Sequence, residues 1–154
     1  MILRYSKVER PWVINPTRAN PSDAGLDVYY CPEEDFVSDV LLRPGESRIL
    51  GTGLKFEVPH GYMLEAKNRS GNAAKRCLVV GACVIDSGYS GEVFIDLHNI
   101  GTTSQEITSG MKIAQLVLVP VVHFQPVESD EEELYKYPIT ISNRGAGALG
   151  STDG

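Results

Sequence analysis

CLVVGACVIDSGYSGEVFIDLHNI, residues 77–100, consists of two apolar runs, 77–86 and 91–100, parted by Ser87, Gly88, Tyr89 and Ser90. Val, Ile and Phe suit the pleated, half-buried surface of a strand, and Gly and Ser at the divide supply a turn, so the stretch is expected to form two strands around a Gly-flanked hairpin. Working outward, LDVYY (26–30), SRILGTGLKFEVP (47–59), YMLEAK (62–67) and KIAQLVLVPVVHF (112–124) have the same composition. Almost nowhere do apolar residues recur at helical spacing for more than two turns, and nine Pro and fifteen Gly separate the runs. Many short strands with regular turn signals indicate an all-β sandwich or barrel.

LLRPGES (41–47) and FEVPHGYM (56–63) carry Pro with Gly close behind, the composition of tight turns between antiparallel strands. RSGNAAKR (69–76) is the one helical segment expected, with Ser70 as its cap. The acidic run ESDEEELYKY (128–137) is expected to be a solvated connector.

At 154 residues the chain is long enough for one domain to bury a core without staples. A net charge of -6 argues against wrapping nucleic acid or an anionic membrane, though a few placed Arg and Lys suffice for a small phosphorylated ligand. Three cysteines without a C-x-x-C pair fit a reduced setting with no structural zinc. With no signal-like N-terminus and no membrane-length apolar run, the expected setting is the cytoplasm or nucleus.

RGAGALGSTDG (144–154) holds Gly145, Gly147 and Gly150 in GxGxxG spacing, but only Ser151 to Gly154 follow, so the helix that such a motif feeds cannot form. G-x-x-x-x-G-[ST] also fits, without the P-loop lysine. Two possibilities stay open: a plain flexible terminus, or a strap of Gly backbone with Arg144, Ser151 and Thr152 that closes over phosphates.

Elsewhere, Arg69, the Ser70 hydroxyl and the Gly71 backbone can together donate several hydrogen bonds to phosphate, although Arg-Ser-Gly is also an ordinary turn. Asp86 can orient a water and Tyr89 can pack on a sugar face; the alternatives are a turn former and a half-buried strand residue. Asp23 and Asp27 are hard oxygen donors of the kind Mg2+ or its waters prefer.

Taken in order, DAGLDVYY, RSG, IDSGYSG, GMKIAQL and the glycine-rich tail resemble the five ordered motifs of the homotrimeric dUTPases, from about Asp23 to the C-terminus. The resemblance implies a distorted jelly-roll barrel over 1–143 and a flexible arm, 144–154, that closes a neighbouring subunit's site and so needs no helix after it. It implies hydrolysis of dUTP to dUMP and pyrophosphate, with Mg2+ as cofactor. Asp86 would activate the water; Asp27 would hold Mg2+ through water. Arg69, Ser70, Gly71 and Gln115 would contact phosphates, and Arg144, Gly147, Ser151 and Thr152 the γ-phosphate end. Tyr89 would lie under the deoxyribose, and the hairpin from about Val80 to Tyr89, Cys83 included, would read uracil through its backbone.

There are departures from the pattern. Leu149 stands where the family usually has Phe, Ala148 where Gly is frequent, Cys83 where Gly is usual and Gly88 where a second Asp is common; Asp153 puts a negative charge beside the phosphates. Asp96 falls at the catalytic glutamate of the related dCTP deaminases, which makes a deaminase or bifunctional enzyme one alternative. A nucleotide-binding module without turnover is another.

Overall fold

The computed structural model describes residues 1–34 and 39–137, and the strands it contains are all antiparallel. In chain order they are β1 (Arg4–Lys7), β2 (Gly25–Tyr29), β3 (Val40–Leu42), β4 (Ser47–Gly51), β5 (Leu54–Glu57) and β6 (Tyr62–Lys67). After the helix α1 (Ser70–Arg76) come β7 (Leu78–Val80), β8 (Val84–Asp86), β9 (Phe94–Asn99), β10 (Gln105–Ile107) and β11 (Lys112–Pro120). The all-β expectation holds, with one addition: a second, single-turn helix, α2 (Glu131–Leu134), sits in the acidic run. Among the described residues no helix is long and apolar enough to cross a membrane.

The strands form sheets in the orders β2-β11-β6-β8, β4-β9-β7, β1-β5 and β10-β3. Val28, Leu64, Ala66, Ala114 and Leu116 of the first sheet and Leu50, Leu78, Ile95 and Leu97 of the second are buried in one apolar core. Removing such side chains from water is the main stabilising term, about 1.5–3 kcal/mol for each Val, Leu or Ile. Asn99, buried beside them, is fully satisfied: its amide donates to the Leu42 and Thr103 carbonyls and its oxygen accepts from Gly101.

The chain forms two compact units, Met1–Val122 and His123–Gly154. The first holds every strand described above. Within the second, Lys136 pairs with Glu133 at 2.9 Å. The residues expected to form the arm, 144–154, lie outside the described part.

Several local expectations need correction. The run 47–59 breaks at Thr52–Gly53, where Gly53 takes φ +69° and passes the chain from the β4 sheet to the β1-β5 ribbon. The run 77–86 breaks likewise, and β7 pairs with β9 while β8 pairs with β6, so 80–89 is not a ladder closed on itself. Both Pro–Gly turns are tight, with Glu46 N–H donating to Arg43 O and Tyr62 N–H to Pro59 O. They join strands of different sheets rather than antiparallel neighbours. Ser70 is not a cap: it is the first residue of α1, and Arg69 occupies the cap position without a side-chain hydrogen bond.

Gly53 gives a sharp test of this packing. A Cβ there would come within 2.5 Å of Val13 Cγ2 and 3.1 Å of Cys31 Sγ, at a φ that L side chains rarely adopt. Gly53→Ala should therefore cost about 2–5 kcal/mol, strain and overpacking together, read as a lower urea midpoint at unchanged slope.

Candidate functional site

Residues directly opposite one another on adjacent strands share a face. In the β2-β11-β6-β8 sheet, Asp27 opposes Gln115, Gln115 opposes Lys67, and two steps of two residues from Lys67 reach Met63, which opposes Asp86. Asp27, Gln115 and Asp86 therefore stand on one face, while Val28, Leu64, Ala66 and Leu116 fill the other, core-facing side.

Asp27 is held by two cations. Arg69 Nε donates to Oδ1 at 2.8 Å and Lys112 Nζ to Oδ2 at 2.7 Å, with the carboxylate 14% exposed. Burial alone would raise its pKa; the hydrogen bonds from Lys112 and Arg69 and their charges outweigh that and hold it below the usual carboxylate range. A carboxylate depressed in the folded state contributes stability above its unfolded pKa, about 3.9, and loses it as pH falls through the lower folded value. Asp27→Asn should thus be less stable than the parent at pH 6–7, and the difference should shrink progressively as pH falls below about 4, measured as urea midpoints across pH.

Lys112 carries no signal in the sequence, for a geometrical reason. It lies three residues before Gln115, and strict alternation would put the two on opposite faces. A bulge between Lys112 and Ala114 inserts Ile113 as an extra residue, so Lys112 opposes Tyr29 and joins Gln115 on the Asp27 face. Its ammonium also lies 5.8 Å from the Tyr29 ring centroid.

Arg69 enters the site from the start of α1. The first-turn N–H groups of Ser70 and Gly71 have no intrahelical acceptor, and a Cβ at Gly71 would meet nothing within 4 Å. Packing therefore does not require glycine at this position, whereas close approach of a ligand to backbone does. Gln115 donates to Asn68 O at 2.9 Å, and Asn68 Oδ1 accepts Val80 N–H at 2.6 Å. Asn68, not singled out from sequence, thus ties the Arg69 turn to the segment that enters β8. Asp23 stays local, its carboxylate accepting Asn20 N–H.

Asp86 ends β8 exposed, and its carboxylate makes no hydrogen bond among the described residues. Gly88, at φ +90°, turns the chain so that Tyr89 N–H donates to Asp86 O. The Tyr89 hydroxyl donates to Glu92 O at 2.8 Å. Val84, Ile85, Asp86, Tyr89, Glu92 and Phe94 line a cavity of about 200 Å3, small beside the roughly 300–1,000 Å3 of a typical ligand pocket. Cys83 is half-buried, and its carbonyl accepts Ala66 N–H. Asp96 faces outward on β9, bonded to His98 at 2.9 Å.

Asp86 lies four residues along β6 and three strands across from Asp27, roughly 20 Å at ordinary sheet spacings. A single chain therefore brings Asp27, Arg69 and Gln115 together and leaves Asp86 and Tyr89 apart from them. Arg144, Gly147, Leu149, Ser151 and Thr152 lie outside the described residues. Among the described residues no three His, Cys, Asp or Glu side chains form a metal cage.

The profile of the dUTPase family matches residues 12–148. The chain belongs to the dUTPase family. Hydrolysis of dUTP is the activity of that family. Deoxyuridine 5'-triphosphate nucleotidohydrolase from Gloeothece citriformis is 33% identical over 154 residues, covering 99% of this chain and 97% of the relative. The enzyme of that name from Nautilia profundicola is 34% identical and covers 99% of both. Among solved structures, the Staphylococcus bacteriophage 80alpha dUTPase with dUpNHpp superposes with TM-score 0.80 at 26% identity over 97% of both chains. The phage phi11 dUTPase, a mutant solved with a structural Mg(II) ion, has TM-score 0.74 and 24% identity over 85% of this chain and 98% of its own. In this dUTPase-family chain the polar residues of the first, second and fourth motifs form one cluster, and those of the third form another.

Proposed function

We propose that the chain hydrolyses dUTP to dUMP and pyrophosphate as a homotrimer, with Asp86 of one subunit facing Asp27, Arg69 and Gln115 of another. The observation that carries this is the roughly 20 Å between the two clusters on one sheet face. Neighbouring phosphorus atoms of a triphosphate are one bridging oxygen apart, so the Asp86 water and the Arg69 donors of one chain cannot serve one molecule. Two copies can, and a cavity too small for a nucleotide then becomes one wall of a shared pocket.

In this arrangement Asp86 orients a water and takes its proton as the oxygen attacks the α-phosphorus. Arg69, the Ser70 and Gly71 N–H groups and Gln115 neutralise and position the phosphates, which is most of what phosphoryl transfer asks of a protein. Tyr89 packs against the deoxyribose, where a 2'-OH would clash. Gly81 N–H and Cys83 C=O are already bonded to Asp96 O and Ala66 N–H, so other backbone groups between about Val80 and Tyr89 read the uracil edge. Arg144, Gly147, Ser151 and Thr152 close over the γ-phosphate end from a neighbouring chain, and Leu149 packs on the uracil. Its place of action is the cytoplasm or nucleus, or the host cytoplasm for a viral chain.

Asp27 is a lone carboxylate with each oxygen bonded once, so it offers no all-protein cage. That donor set fits an Mg2+ held mainly by phosphate oxygens and waters, with Asp27 contacting the waters. Once bound, Mg2+ supplies charge neutralisation on the triphosphate.

The test is to give protein and Mg2+ separately dUTP, dCTP, dTTP and UTP and follow pyrophosphate, ammonia and monophosphate. Pyrophosphate and dUMP from dUTP alone are expected. Ammonia from dCTP would instead assign Asp96 a deaminase role, and no product from any of the four would favour a binding module.

A further inference from the structure

Arg10 and Glu92 are 82 residues apart in sequence and form a two-point ion pair, Nη1 to Oε1 at 3.1 Å and Nη2 to Oε2 at 2.7 Å. Their side chains are only 16% and 9% exposed. Glu92 Oε1 also accepts Gly53 N–H at 2.7 Å, and Arg10 Nη1 reaches the Cys31 carbonyl. A pair this buried gains little net stability over an apolar one, so its presence calls for another reason.

The reason lies on the other side of Glu92. Its carbonyl accepts the Tyr89 hydroxyl at 2.8 Å, and Glu92 is one of the residues lining the cavity that holds Asp86 and Tyr89. A Cβ at Gly91 would overlap the hydroxyl end of the Tyr89 ring, so that end packs close against the backbone next to Glu92.

We propose that Arg10 and Glu92 are positioning residues for sugar recognition: the pair fixes the carbonyl that holds the Tyr89 hydroxyl and so sets the preference for deoxyribose over ribose. This rests on the placement of Tyr89 against the sugar given under "Proposed function". It gives the N-terminal segment a part in specificity, through a residue far from every motif.

The test compares kcat/KM for dUTP and UTP in the parent, Tyr89→Phe, Arg10→Gln/Glu92→Gln and the triple variant. Tyr89→Phe and the double variant should each lower the dUTP-over-UTP preference roughly fivefold, the worth of one hydrogen bond. The triple variant should fall no further than either, because all three changes release the same ring. An unchanged preference in Tyr89→Phe, an unchanged preference in a folded double variant, or effects that multiply in the triple variant overturns the proposal.

Trp12, the chain's one tryptophan, donates to Pro32 O and reports by its emission whether the segment around Arg10 remains seated. If the double variant loses that signal, Tyr89→Phe alone decides. Tyr89→Ala separates the two levels. A preference untouched by loss of the ring removes the placement of Tyr89 itself, whereas one lost in Tyr89→Ala but unmoved in the other variants removes only the role of Arg10 and Glu92.

Discussion

Asp86→Asn should bind dUTP nearly as the parent does and turn it over about 10²–10⁴-fold more slowly, the usual contribution of a positioned general base. The amide keeps the shape of the carboxylate and lacks its capacity to take a proton. The fold should tolerate the change, because the Asp86 side chain is exposed and makes no hydrogen bond among the described residues. Its carbonyl, which accepts Tyr89 N–H, is untouched. The loss should therefore appear in kcat with KM little changed, the pattern of an interaction made in the transition state. Turnover within tenfold of the parent would remove Asp86 from the reaction.

If the tail closes over the γ-phosphate end as proposed, deleting Arg144 to Gly154 removes several donors, one of them charged, and should lower kcat/KM for dUTP by at least about 100-fold. The thermal midpoint should stay close to the parent's. Among the described residues the buried apolar side chains run from Val13 to Leu116, all of them outside the deleted stretch. The same deletion distinguishes the two possibilities that the GxGxxG spacing left open. A plain terminus would cost nothing on removal, and full activity in the truncated protein would contradict the strap.

Much of the fold was legible because strands announce themselves locally. LDVYY, YMLEAK and the KIAQL run became β2, β6 and β11 with boundaries within a few residues, and RSGNAAKR became α1. What was not legible depends on partners distant in sequence. The runs 47–59 and 77–86 look continuous because apolar residues persist across Gly53 and Gly81, yet each crosses from one sheet to another there. The short strands β1 and β10 are mainly polar and β3 is only three residues long, so their state comes from pairing with β5, β3 and β10 rather than from a pattern of their own.

The site divides in the same way. Asp27, Arg69, Gln115, Asp86 and Tyr89 could be named from ordered motifs. Lys112 could not, because a bulge rather than alternation puts it beside Asp27. Arg10 and Glu92 could not either, since no local pattern links two residues so far apart. That Asp86 stands away from its supposed partners is likewise a property of register, visible only once β6 is seen between β8 and β11.

That separation can be tested by mixing subunits. Asp86→Asn chains and Arg69→Gln chains, each nearly inactive alone, would be unfolded together, refolded and assayed for dUMP formation. If Asp86 and Arg69 come from different copies, random assembly restores an intact pair in about a quarter of the sites, and activity should return to that order. Activity no higher in the mixed assemblies than in either variant alone would place both residues of a working site on one chain, and would contradict the shared site.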